Sequence, residues 1–227
     1  PNARRILKEL IVDAGPDTAL SNKRFPWLSM RNIELKMCPV MAIRVAYTGE
    51  LGWELHHPIE MQNYLWDQLM KAGEKHGLKT VGARAQNWLR QEKSYRAFGT
   101  ELGRDATPLE AGLDRFVDMD KDFHGKAEMA AKGIRSMCVT LLIDGPEDAD
   151  PWGREGLYTE DGTRVGRLTS GGYSVAFGKS IGMGYVKPDI AVVGTKLKVK
   201  MFDQLWDAEV VEDSPYDPKN ATIRVDG

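Results

Sequence analysis

The residues with the clearest chemical promise lie in Tyr47-Thr48-Gly49-Glu50-Leu51-Gly52-Trp53-Glu54-Leu55. A carboxylate on a strand, beside a bulky aromatic and facing a tyrosine, can line a flat pocket. Such a carboxylate accepts two N–H bonds from an amino-pyrimidine edge. Val40 to Tyr47 is apolar and β-branched and reads as a buried strand. The residues 48–52 form a turn, and Trp53 to His57 returns as a strand ended by Pro58. This hairpin places Tyr47 opposite Glu54, so that both project to one face. From these residues alone the plain alternative is a solvated strand carboxylate. A second candidate is Ala83 to Lys93, where Arg84 and Trp88 share a helix face at i,i+4. Its plain alternative is an amphipathic helix with solvated charges.

Other chemistries lack their patterns. No nucleophile elbow, Walker A loop, HExxH or Ser/His/Asp arrangement is present. Gly182-Met183-Gly184 sits inside a strand pattern with no helix after it, unlike a dinucleotide fingerprint. Ser170-Gly171-Gly172 reads as a bend between strands. His56 and His57 are adjacent on a strand and point to opposite faces, so no metal is expected there. Cys38 and Cys138 form no CxxC or Cys/His cluster, which argues against a zinc site or a disulfide framework.

The elements that must position these residues fall into two parts. The chain has 227 residues, a prior of one or two domains. Its 31 basic and 33 acidic side chains leave a net charge of -2, which gives no general attraction to nucleic acid or an anionic membrane. No apolar run is long enough for a transmembrane helix. Asn2 is a candidate N-cap for a helix carrying Ile6, Leu7, Leu10 and Ile11, ended by Gly15-Pro16. The residues 16–32 read as loop. Met61, Leu65, Leu69 and Ala72 form the stripe of a helix over 61–76 closed by Gly77. Further helices are expected over 83–95 and 125–132, with a turn and a short strand in 107–118. From 137 onward strands are expected at 137–143, 156–159, 164–170, 181–187, 195–202 and 205–212. Asp161-Gly162 suits a type I′ hairpin turn, and Asp203-Gln204 is a second tight turn. The expected fold is therefore α+β over 1–134, followed by a small all-β barrel or jelly-roll-like domain over 135–227.

Four stretches also carry a resemblance: residues 47–55, Leu89-Arg90-Gln91-Glu92-Lys93-Ser94-Tyr95-Arg96-Ala97-Phe98-Gly99, Thr107-Pro108-Leu109-Glu110-Ala111-Gly112-Leu113, and Thr169-Ser170-Gly171-Gly172-Tyr173-Ser174. In this order, along nearly the whole chain, they resemble the glycine-cleavage T-protein (aminomethyltransferase) family. They are most similar to the C-terminal folate module of dimethylglycine and sarcosine dehydrogenases. The family usually has Asp-Ser-Leu where this chain has Gln86-Asn87-Trp88, and Leu where it has Gln91. Members carry more of the folate domain before the position of Pro1, including the acid that assists methylene transfer. The dehydrogenases add a flavin (FAD) domain upstream. The resemblance thus implies a C-terminal fragment, with no catalytic residue assigned within it.

The resemblance further implies bound tetrahydrofolate. Glu54 would bind the pterin ring and Tyr47 would flank it, with Leu55 and His56 adding backbone or edge contacts. Arg84 would orient the carboxylate or bind the glutamyl end, and Arg115 lies where some relatives place an aromatic pocket residue. The implied chemistry is one-carbon transfer from a small methylated amine to folate, in the cytoplasm or a mitochondrial matrix. Two other branches share the fold: a sulfonium demethylase acting on donors such as dimethylsulfoniopropionate, and a non-enzymatic folate-binding iron–sulfur assembly factor. The latter carries a cysteine in a Lys-Gly-Cys-Tyr type motif, which neither Met37-Cys38-Pro39 nor Met137-Cys138-Val139 matches.

Overall fold

A computed structural model describes residues 2–12, 15–146 and 148–225. It forms two compact units, 1–86 with 219–227, and 87–218. Helical structure gives way to barrel strands near residue 134, as the sequence pattern suggests, but packing groups 87–134 with the barrel.

In the first unit, α1 (Ala3–Leu10) presents Ile6, Leu7 and Leu10 to the core. Asn2 stands at its N-cap position without capping it; its side chain donates to the His76 carbonyl at 3.0 Å. The segment expected as loop holds a four-residue helix, α2 (Pro16–Ala19), and the start of a strand, β1 (Met30–Leu35). That strand was hidden because its inward residues include only two large aliphatics, Ile33 and Leu35. It pairs with β2 (Cys38–Ile43), and β2 pairs with β3 (Glu54–His56), all antiparallel. Helix α3 (Gln62–Gly73) buries Leu65 and Ala72 and packs Leu69 on the same core; after a 3₁₀ turn, Gly77 closes it.

Helix α4 (Ala83–Glu92) leads into the second unit. The short strand expected in 107–118 is a 3₁₀ turn, Asp114–Phe116, and α5 covers Lys126–Lys132. Six strands follow: β4 (Met137–Ile143), β5 (Gly156–Tyr158), β6 (Arg164–Ser174), β7 (Lys179–Val186), β8 (Lys196–Met201) and β9 (Gln204–Val211). They close into a barrel in the order β4-β7-β6-β5-β8-β9. Alternate residues such as Leu141, Ile143, Leu157, Leu168, Val199 and Val210 fill its interior. The β5–β6 connection turns at Asp161-Gly162, but Gly162 alone of the pair has positive φ (84°). With Gly162 N–H donating to Thr159 O, it is a type I turn plus a glycine bulge rather than type I′. The β8–β9 turn lies one residue earlier than expected, at Phe202-Asp203, both with positive φ.

Ser170-Gly171-Gly172 is not a bend between strands but the middle of the long β6, next to a register shift at Leu168/Ser170. A Cβ on Gly172 would come within 2.1 Å of Trp88 Cδ1. Trp88 also meets Tyr173 edge-on, with centroids 6.2 Å apart. Gly172→Ala is therefore expected to cost about 1–3 kcal/mol by overpacking. In a Trp88→Leu background that cost should shrink. Chemical denaturation of the four-member cycle measures it, and an unchanged cost in the Leu background would rule out Trp88 as the cause.

Candidate functional site

Strand β2 sets the geometry around Glu54. Its partners across the ladder are Met41↔His56, Ala42↔Leu55 and Ile43↔Glu54. Glu54 therefore faces Ile43, not Tyr47. The pairing stops there because Arg44 turns back toward the first strand: its N–H donates to Ser29 O at 2.9 Å, and its O accepts from Leu28 N–H at 3.1 Å. The Arg44 side chain is buried. Tyr47 sits half-buried in the loop beyond, which is longer than the tight turn expected at 48–52.

On the outer face of this small sheet, Met30, Ile43 and Glu54 form one row and Asn32, Met41 and His56 the next. Glu54 Oε2 lies 3.4 Å from His56 Nε2, and both side chains are about half exposed (55% and 51%). A carboxylate so placed keeps acceptor capacity for two donors from a planar heterocycle, and the half-exposed imidazole supplies an edge beside it. Leu55 projects to the opposite face. There it lines an apolar cavity of about 270 Å³ with Ile6, Leu7, Trp53, Trp66 and Leu69. Arg84 is exposed in the first turn of α4. Arg115 is exposed in the 3₁₀ turn of the second unit, its guanidinium 4.8 Å from the Phe116 ring centre. The expected residues therefore divide. Glu54 and His56 share a face, Leu55 points away from it, Tyr47 is out of register, and Arg84 and Arg115 are each exposed on separate turns.

The polar residues of α4 overturn the amphipathic, solvated alternative. Arg90, Gln91, Glu92 and Lys93 are all buried. Arg90 binds Glu101 Oε2 at 2.9 Å, Ser170 Oγ at 2.6 Å, Asn87 Oδ1 at 2.9 Å and the Tyr95 carbonyl at 2.7 Å. Glu101 also accepts from Thr169 Oγ1 at 2.7 Å and Ser170 Oγ at 2.5 Å. Burial opposes its charge, yet Arg90 and these hydroxyls hold its carboxyl below the ordinary value. Gln91 donates to Gly171 O at 3.1 Å, Glu92 accepts from Ser174 Oγ at 2.5 Å, and Lys93 donates to the carbonyls of Tyr216 and Asp217 at 2.9 and 2.6 Å. Apart from Gln91 Oε1, which is buried with no hydrogen-bond partner among the described residues, these groups bond to strands and loops and position the scaffold.

Thr107-Pro108-Leu109-Glu110 is likewise structural. Glu110 N–H donates to Thr107 Oγ1 at 3.2 Å while Thr107 N–H donates to Glu110 Oε2 at 2.8 Å, a reciprocal capping box. Its Thr-x-x-Glu spacing was a readable signal for this arrangement. Both cysteines are buried, and burial pushes the Cys138 thiol up to about 12 and raises that of Cys38. Neither offers a thiolate near neutral pH.

An α+β unit with an open-faced three-stranded sheet, followed by a six-stranded closed barrel, is the architecture of the folate-type aminomethyltransferases expected from the motifs. Residues 1–121 match the GCVT N-terminal domain, and residues 137–217 the glycine cleavage T-protein C-terminal barrel domain. The chain belongs to the glycine cleavage T-protein family, whose members include aminomethyltransferases. Dimethylglycine dehydrogenase of Rattus norvegicus is 37% identical over 236 aligned residues, covering 100% of this chain and 26% of the relative. The Homo sapiens protein of that name is 39% identical, covering 94% of this chain and 24% of the relative. An aminomethyltransferase of Thermosynechococcus vestitus is 37% identical over 78% of this chain and 48% of its own length. The crystal structure of aminomethyltransferase T from Bartonella henselae superposes with a TM-score of 0.71 at 27% identity, over 79% of this chain and 50% of that one. The chain thus spans about a quarter of the dehydrogenases and about half of the transferases. Among the described residues, no helix is long and apolar enough to cross a membrane.

Proposed function

We propose that this chain is the C-terminal part of a tetrahydrofolate-dependent one-carbon transfer module, carried by a flavoprotein that demethylates a small N-methyl amine of the dimethylglycine type. The observation that carries the reading is the 37% identity to a dimethylglycine dehydrogenase across the full chain. The modules are 1–134, bearing the folate face, and 135–227, the barrel. The partners are folate, the methylated amine and an upstream flavin oxidoreductase domain, in a mitochondrial matrix or a bacterial cytoplasm.

Tetrahydrofolate, when bound, supplies the nucleophilic nitrogen that captures the one-carbon unit. Glu54 holds the amino-pyrimidine edge, which suits its exposed acceptor oxygens, and His56 contacts the same edge from the same face. Tyr47 closes one side from its loop, and Leu55 supports the strand from the core. Arg84 takes the glutamyl carboxylate. The protein's work is orientation and charge stabilisation, which brings donor and acceptor together as if in one molecule.

Glu54→Ala in the full-length protein is expected to weaken tetrahydrofolate binding by about 1.5–3 kcal/mol, the value of a charge-assisted hydrogen bond. Isothermal calorimetry measures it, with Glu50→Ala as the variant of smaller effect. Unchanged affinity in Glu54→Ala would remove Glu54 from the site.

A further inference from the structure

Segment 219–225 belongs by packing to the first unit, although more than a hundred residues of the second unit separate it from Gln86. It has no regular strand or helix; residues 221–224 form a turn in which Arg224 N–H donates to Asn220 O at 3.2 Å, and Asn220 takes a positive φ of 55°. Side chains of the first unit hold this turn in place. Arg44 Nη2 donates to Ile223 O at 3.3 Å, Asn22 Nδ2 to Arg224 O at 2.6 Å, and Arg4 Nη1 to Val225 O at 2.8 Å. Three consecutive carbonyls are thus each read by a different donor. Arg4 and Arg44 are only 2% and 1% exposed, and both guanidiniums stand within 6 Å of the Trp53 ring centre. The donors are linked, because Arg4 Nη2 also reaches Asn22 Oδ1 at 3.1 Å. Ile223 is 2% exposed, and the Arg224 guanidinium lies 4.7 Å from the Trp27 ring centre.

We propose that these residues form a peptide-binding slot whose ligand is segment 219–225 itself, and that its occupancy clamps the first unit. The slot reads backbone carbonyls, takes one buried aliphatic at Ile223, and stacks one cation at Arg224. It joins α1 through Arg4, the residues after α2 through Asn22, and the end of β2 through Arg44. Withdrawing the segment removes a carbonyl acceptor from each of two buried guanidiniums and uncovers the site of Ile223, so α1 and β2 loosen together.

The test uses the intact protein with a protease site inserted between Pro218 and Lys219. After cleavage the distal piece is expected to stay bound through gel filtration. In Ile223→Asp it should be released, with the amides of α1 and β2 exchanging hydrogen at least tenfold faster and those of β4 and β7 unchanged. A synthetic peptide of residues 219–227 should restore protection. Ile223→Ala, with an intermediate exchange rate, covers the case in which the Asp variant does not fold. Loss of the piece from the cleaved wild-type protein with no change in α1 exchange would overturn the proposal, as would equal acceleration in the barrel.

Discussion

Glu101→Ala is expected to destabilise the second unit by about 3–5 kcal/mol, the range for removing one partner of a buried ion pair. Arg90 and Glu101 are 2% and 1% exposed, so the guanidinium left behind has no ready access to water. The loss does not stop at the pair. Thr169 and Ser170 on β6, and the Ala97 N–H and Thr100 hydroxyl on the preceding loop, all donate to the same carboxylate. Removing it leaves the buried Arg90 guanidinium and Ser170 hydroxyl, and the half-buried Ala97 N–H, each short of an acceptor, and unpaired buried donors cost more than the bond they made. A double replacement, Arg90→Met with Glu101→Leu, should recover much of the loss, since an apolar pair leaves no orphaned charge. Urea unfolding of the single and double variants decides the matter. A loss under about 1 kcal/mol in Glu101→Ala, or a double variant no better than the sum of the singles, would mean the network is solvated in solution.

What was legible in the sequence follows the range of the forces involved. The barrel was readable because each strand is bounded by its own turn and alternates its own side chains; those are local facts, visible at Asp161-Gly162 and in Met137–Ile143. Helix α3 was readable for the same reason, through Leu65, Leu69 and Ala72. The Glu54 register was not. It depends on Arg44, whose burial and return toward Ser29 end the ladder three residues before Tyr47, and nothing near Arg44 in sequence announces that. The charges at 90–93 were misread as solvated for a related reason. Their acceptors and donors, Glu101, Ser170, Ser174 and Tyr216, lie between eleven and more than a hundred positions away. A charged residue reads as exposed until its partner is known. The exception is Glu110, whose capping partner stands three residues off and whose pattern was there to be read.

Glu110 should also set the acid limit of the second unit. It is fully buried, and burial by itself would raise its pKa. The Arg135 guanidinium at 3.0 Å, the Thr107 N–H at 2.8 Å and the Arg135 N–H at 3.1 Å outweigh that and hold its carboxyl down at about 2, against an ordinary 4.5. The folded state therefore binds its proton less readily than the unfolded state. Its contribution is fully present above about pH 4.5 and disappears as the pH falls toward 2. A drop from 4.5 to about 2 corresponds to about 3 kcal/mol at neutral pH. Glu110→Gln keeps the shape and one acceptor oxygen but removes the charge that Arg135 faces. At pH 7 the variant should be less stable by an amount approaching that value, and the gap between the two proteins should close between pH 4.5 and 2. Glu101 is also held below its ordinary value, but it is common to both proteins and cancels in the difference. Urea midpoints measured across this range provide the comparison. Parallel profiles, with a constant gap from neutral pH to pH 2.5, would show that the capping box and Arg135 act on Glu110 through shape alone and not through its charge.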